Sequence, residues 1–275
     1  MKKIKTVLIH ILNSWKWYVQ GLRYLAKDFD LIQNVKELSL EGKGLIIIPH
    51  ADDEWIGCSQ IIKNHSNCEG FFLNWTGSNQ LQNNRLIRES EIHNLCDTYN
   101  FNCFFCDCND DRLAELLKVI ESEQFKYFFV PSFIDWHDEH LKACKILREA
   151  LMLSNKVDEY KIVSYQVSVP FPVFLMNRFY VMDKSSQRKK WDTFVNYYPS
   201  QKLPTKRFME QERVSGRLIG EYSVECYSEL CFSEWSAYLD KLSNKEIERK
   251  ELKSLINNIY KIRKKSSDLL ASLRS

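Results

Sequence analysis

The segment Gly44-Leu-Ile-Ile-Ile-Pro-His50-Ala-Asp52-Asp53-Glu54-Trp-Ile-Gly57 sets an imidazole and two carboxylates within four residues. His50 and Asp53 are three apart at what reads as the first turn of a helix, so both can converge on one metal ion. Asp52 between them points elsewhere and stays free. A second cluster, Asp135-Trp136-His137-Asp138-Glu139-His140, places two more histidines three apart. His50, Asp53 and one of that pair would supply three N/O ligands and leave a coordination position open, the pattern of catalytic rather than structural zinc. Such an ion lowers the pKa of bound water towards ~7 and polarises a carbonyl. A free carboxylate beside it can take the water's proton. The competing reading is two helix N-caps, Asp52/Asp53 and Asp135/Asp138, with incidental imidazoles. Recurrence of the pattern at two matched positions weighs against it.

Both clusters follow an apolar run and precede a helical pattern. Runs at 45–48, 71–75, 101–106, 127–130, 162–169 and 179–182 alternate with helical periodicity over 54–63, 86–99, 112–121 and 139–152. Strands alternating with helices predict βαβ units in a mostly parallel sheet flanked by helices, a Rossmann-like α/β architecture. In such sheets chemistry sits beyond the carboxyl ends of strands, where His50 and His137 fall. Pro49 and Pro131 suit strand ends, because proline cannot donate to the ladder.

Composition narrows the alternatives. The chain has 275 residues, with 7 Trp, 13 Tyr and 16 Phe, enough apolar surface to fold rather than stay disordered. A net charge of +3 argues against a dedicated nucleic-acid binder. Eight glycines at scattered positions form neither G-x-G-x-x-G nor a P-loop, which removes the dinucleotide and P-loop readings. Nine cysteines, an odd number spread through apolar runs, read as free thiols of a reducing cytosol. Cys103, Cys106 and Cys108 lack a second C-x-x-C pair and are expected to be buried thiols rather than a zinc site. No stretch reaches the ~20 apolar residues of a membrane span. The apolar core of the N-terminus, Thr6 to Leu12, is short, is interrupted by His10 and lacks a cleavage site, so export is not expected.

The block Pro49-His-Ala-Asp-Asp-Glu-Trp-Ile-Gly-Cys58 and the later His137-Asp-Glu-His140 resemble the PIG-L/LmbE-like zinc-dependent N-deacetylases, whose patterns are P-H-P-D-D-E-x-x-G-C and H-P-D-H. Arg88-Glu-Ser-Glu91 and Tyr198-Pro-Ser-Gln201 resemble that family's R-x-x-E and Y-x-S-Q elements, and the resemblance spans about residues 43 to 230. It implies His50, Asp53 and His140 as zinc ligands, Asp52 as general base, and a protonated His137 as oxyanion stabiliser or acid. Arg88 matches an arginine that contacts substrate in relatives. Three positions depart from the pattern. Ala51 replaces a proline, Asp138-Glu139 replaces Pro-Asp near His140, and Gln166 stands where many members carry glutamate. The implied activity is removal of acetyl from an N-acetyl amino sugar or its conjugate, free or lipid-linked. The rivals are a hydrolase of another amide or ester, and a metal-free α/β scaffold that binds partners through its helical ends.

Two segments lie outside the resemblance, giving an expected division into an N-terminal amphipathic helix and linker (1–42), a deacetylase-like domain (43–232) and a C-terminal helical extension (233–275). The C-terminal stripe of Leu252, Leu255, Ile256, Ile259 and Ile262 must be buried, and packing on the core is expected over packing on a second chain. Residues 1–27 carry six lysines and arginines and no acid, beside a stripe that includes Leu12, Trp15, Tyr18 and Val19. Such a helix can pack at home, or lie on the anionic inner face of a membrane with a cytoplasmic body behind it.

Overall fold

The computed structural model describes residues 12, 15–19, 34–75, 82–107, 111–154 and 157–273. The organising strand is β2 (Lys43–Ile48), whose Gly-Leu-Ile-Ile-Ile run is buried on both faces, as a central parallel strand must be. Around it, among the described residues, eight strands form one sheet in the order β1-β7-β8-β6-β5-β2-β3-β4. The others are β1 (Lys36–Glu37), β3 (Cys68–Phe72), β4 (Cys103–Phe105), β5 (Phe125–Pro131), β6 (Lys161–Tyr165), β7 (Arg178–Met182) and β8 (Ser223–Cys231). All neighbouring pairs are parallel except those of β8, which runs antiparallel to both β6 and β7. The chain leaves β2 for β3 and β4 on one side, then returns to β5 on the other. The loops after β2 and β5 therefore part company at the carboxyl edge and open a crevice there.

Side chains alternate across this sheet into two cores. Leu45, Ile47, Phe128 and Val130 join one core, with α3 (Arg112–Ser122), α4 (Asp138–Leu153) and α7 (Phe232–Ser243). Ile46, Ile48, Tyr127 and Phe129 join the other, with α1 (Asp53–Asn64), α2 (Gln82–Tyr99) and α5 (Lys184–Tyr197). The C-terminal helices α8 (Glu246–Ser254) and α9 (Ile259–Ala271) close over the first core. Leu252, Ile259, Ile262, Leu269 and Leu270 are buried, so the C-terminal stripe packs on the core as expected.

Three elements depart from expectation. The run read as a strand over 162–169 ends at Tyr165, and Val167 to Val169 form a loop that turns to the crevice. β8 and α6 (Thr205–Arg217) give little apolar signal because many of their buried positions are polar: Glu225 and Ser228 in the strand, Arg207, Glu212 and Ser215 in the helix. At the N-terminus residues 15–19 are helical, but the packed side chain is Trp17, whose indole donates to Asn257 O at 3.1 Å. Leu12, Trp15 and Tyr18 of the expected stripe face solvent at 64%, 68% and 48% exposure. Val19 of that stripe is half-buried, and the rest of it lies outside the described residues. Cys103 sits in β4 and Cys106 is buried; Cys108 lies outside the described residues. No helix among the described residues is long and apolar enough to cross a membrane.

Candidate metal centre and active site

The first half of the site is set by the turn from β2 into α1. Asp52, the N-cap of α1, has φ 126°, a left-handed conformation that a side-chain-bearing residue adopts only where its surroundings compel it. Its carboxylate makes no capping bond, while its N–H donates to Glu54 Oε2 at 3.1 Å. The cap position therefore turns Asp52's oxygens towards the crevice instead of the helix end. Asp53 Oδ2 accepts from His50 N at 3.0 Å and lies 3.0 Å from His50 Nδ1, which locks the two side chains together. Gly57 is required one turn on, since a Cβ there would meet the Tyr165 ring at 2.2 Å. That ring is fixed by its hydroxyl, which donates to Ile47 O at 2.8 Å.

Beyond Gly57 the helix breaks at Cys58 (φ −133°, ψ 21°). Ile56 O and Gln60 N would pair in an uninterrupted helix. Here Ile56 O accepts from Lys190 Nζ at 2.7 Å and Gln60 N donates to Glu225 Oε2 at 3.0 Å. Lys190 and Glu225 are themselves paired at 2.7 Å, so a buried ion pair is spliced into the ladder of the helix that carries the site.

The loop from β5 to α4 brings the second half. Asp135 Oδ1 accepts from His137 N at 3.1 Å, and its Oδ2 accepts from Ser168 N at 2.9 Å and lies 3.3 Å from His140 Nδ1. His140 Nε2 approaches Asp53 Oδ2 to 3.2 Å. Ligand nitrogens of His50, His137 and His140 all lie within 4.8 Å of one another. Glu139 Oε2 lies 2.7 Å from His50 Nε2 and 3.9 Å from His137 Nδ1.

Charge follows this geometry. Burial opposes ionisation of His50 and His140, yet Asp53 outweighs it and raises them to about 9 and about 10, with Asp135 also acting on His140. Asp53 is buried too, but the two imidazoles hold it well below the usual carboxylate range. Burial and the Asp53 charge push Asp52 well above that range. Burial, helped by the two neighbouring imidazolium rings, takes His137 down to about 4. The centre thus concentrates positive charge beside buried carboxylates. His137 Nδ1 and both nitrogens of His140 are buried with no hydrogen-bond partner. Buried imidazole nitrogens that lie against carboxylates without forming a hydrogen bond are a donor set that fits zinc.

The six residues singled out from the sequence, His50, Asp52, Asp53, Arg88, His137 and His140, all line one cavity of about 300 Å³. Ile56, Val167, Leu203 and Phe208 give it an apolar side, and Ser168 and Gln201 add polar groups. Arg88 Nη2 donates to Gln201 Oε1 at 3.3 Å, while Glu91 accepts from Ser200 N at 2.8 Å and Ser200 Oγ at 2.7 Å. The R-x-x-E and Y-x-S-Q elements are thereby tied to one another, and Tyr198 donates to Glu54 to tie them to α1. Sequence reasoning took Asp135 only for a cap, and it is the carboxylate beside His140. It placed Glu139 near His140, but the longer side chain reaches His50 instead. Gln166 is engaged by Phe171 N at 2.8 Å and does not line the cavity. Trp136 and Phe208 in the wall, and Arg249 behind it, were not anticipated; Trp136 sits on a loop with no periodic signal, and Phe208 lies in α6, where most buried neighbours are polar.

No protein-family model matches the chain, and no curated protein matches it significantly. Solved structures do. The N,N′-diacetylchitobiose deacetylase from Pyrococcus horikoshii aligns with TM-score 0.54 at 16% identity, over 70% of this chain and 85% of that one. The 4-carboxy-2-hydroxymuconate hydratase from Pseudomonas putida aligns with TM-score 0.53 at 14% identity, over 68% and 96%. A zinc-inhibited form of teicoplanin deacetylase aligns with TM-score 0.50 at 12% identity, over 68% and 97%. Two deacetylases and a hydratase on one backbone leave the reaction to the site residues. What these identities establish is the architecture: this chain is folded as those three proteins are.

Proposed function

We propose that this chain is a zinc-dependent N-deacetylase of the PIG-L/LmbE type, acting on an N-acetyl amino sugar or its conjugate. The observation that carries the reading is the convergence of His50, Asp53 and His140, with Asp52 and His137 beside them, in a cavity lined by Arg88. Deacetylases with the same fold support it. His50, Asp53 and His140 would hold the ion, which when bound supplies a Lewis acid and an acidified water. The remaining chemistry belongs to the protein. Asp52 carries raised proton affinity and no capping bond, so it suits accepting the water's proton and returning it to the departing amine nitrogen. Burial favours the neutral form of His137, which would serve the oxyanion as an N–H donor. Arg88, braced by Gln201, would meet sugar hydroxyls or an anionic substituent.

The test is metal content together with acetate release from N-acetylhexosamines, free and lipid-linked. Zinc without acetate release, but with water added to an unsaturated acid, would favour the hydratase chemistry. Neither zinc nor turnover would favour a partner-binding scaffold. We also propose the three-part division at residues 42 and 232, and a cytoplasmic protein that rests on an anionic membrane face. Trp17 is turned inward while Leu12, Trp15 and Tyr18 stand outward, so the basic segment keeps apolar groups for a lipid surface.

A further inference from the structure

We infer that α8, beyond the segment that resembles the deacetylases, belongs to the working site, with Arg249 as the positioning residue of the loop that carries His137. This rests on the metal-centre reading above. Arg249 is only 1% exposed, and both of its Nη atoms donate to that loop. Nη1 donates to Asp135 O at 2.6 Å and to His137 O at 3.4 Å, and Nη2 donates to Asp138 Oδ1 at 2.5 Å. Two neighbours on the same helix add to the grip. Lys250 Nζ lies 3.5 Å from Asp138 Oδ2, and Lys253 Nζ sits 4.8 Å from the centroid of the Trp136 ring, in the cavity wall.

The loop is also closed from behind. The chain just past α8 offers Ile256 O to Arg207 Nε at 2.7 Å, and Arg207 Nη2 donates to Ser168 O at 2.5 Å. Ser168 N in turn donates to Asp135 Oδ2, the carboxylate beside His140. A circuit thus runs Asp135–Ser168–Arg207–Ile256–α8–Arg249–Asp135. Residues 135–137 lie between β5 and α4 with one backbone bond each at Asp135 N (to Ser132 O, 3.0 Å) and His137 O (from Leu141 N, 3.4 Å), so this circuit supplies most of what fixes Asp135 and His137. The guanidinium's planar fork can hold a carbonyl and a carboxylate three residues apart; a lysine's single ammonium cannot hold both in that geometry. A metal site whose outer groups move by a fraction of an ångström loses affinity and rate together.

The experiment compares full-length wild type with Arg249→Lys and Asp138→Asn. In zinc-free protein, amide exchange at His137 and Ser168 should quicken about tenfold in Arg249→Lys while the sheet amides hold their rates. Zinc affinity, read by competition with a chelator, should fall about 10- to 100-fold. kcat for acetate release should fall with KM unchanged. Asp138→Asn, altering a half-exposed side chain, should move every readout the same way by less, and it decides the matter if Arg249→Lys does not fold. Wild-type exchange at His137 and Ser168 with wild-type zinc affinity would overturn the inference. So would exchange that quickens evenly across the sheet, which marks Arg249 as structural only. If wild type itself neither binds zinc nor releases acetate, the functional reading falls, and the exchange rates still decide the role of Arg249.

Discussion

Lys190→Met removes the cation at the splice in α1 and keeps the length of the side chain. Lys190 is fully buried and donates to three acceptors, Ile56 O, Glu212 Oε1 and Glu225 Oε1, each at 2.7 Å. The carboxylates keep good donors: Ser59, Gln60 N and Tyr227 for Glu225, Gln187 and Trp191 for Glu212. Without the ammonium, however, two carboxylates share a buried site with no positive partner. Deleting one partner of a buried pair costs about 3–5 kcal/mol, because the charge left behind is uncompensated. For a chain of this size that is roughly 10 °C in Tm. The sign with pH is fixed as well. Burial disfavours the Lys190 ammonium, but Glu212 and Glu225 outweigh burial and raise its pKa above 10.5. The native pairing is therefore fully present below that value and adds no slope between pH 6 and 8. Urea denaturation of both proteins at pH 7 measures the deficit, and adding Glu225→Gln should recover part of the loss. A deficit under about 1 kcal/mol would refute the reasoning.

His50→Ala and His140→Ala should each strip most of the zinc from protein purified without chelator, whereas His137→Ala should keep the metal and lower kcat on the order of 10²; metal analysis and acetate assays check both, and the reverse pattern for His137 and His140 would exchange their roles. Asp52→Asn should retain zinc and lose activity by about 10²–10⁴, the usual contribution of a positioned base, and full activity would remove Asp52 from the proton path. Full-length protein should pellet with anionic liposomes at low salt and a chain lacking residues 1–30 should not; equal, negligible pelleting retires the membrane contact.

The parts of this molecule that announce themselves in the sequence are those whose side chains repeat with the period of their element. β2 is legible because Leu45 to Ile48 are apolar on both faces, and the helices after β2 and β5 because apolar residues recur at helical spacing. His50, Asp52, Asp53, His137 and His140 are legible because their chemistry stands beside those strand ends. α6 and β8 are illegible for the opposite reason. They bury Arg207, Glu212, Glu225 and Ser228, and in a sequence a buried polar residue reads the same as one in water. Nor does sequence tell that the N-terminal helix turns Trp17 inward and leaves Trp15 out, since both are tryptophans two positions apart and only the Asn257 carbonyl distinguishes them.

The buried charges that sequence could not assign and the ones it could do different work. In the splice, Lys190 donates to three acceptors and has its bonds made. At the crevice the accounts stay open: imidazole nitrogens that meet carboxylates without forming a hydrogen bond, Asp52 held in a left-handed turn with no cap to make, Asp53 shared by two histidines. A site must keep such unmet demand if a ligand is to satisfy it, and unmet demand costs stability. The closed networks offset that cost at close range. The Lys190–Glu225 pair holds the turn of α1 that follows Asp53, and Arg249 holds the loop before His140. Each open half of the site is thus backed by one buried cation, Lys190 with all three of its donors used and Arg249 with both Nη atoms bonded.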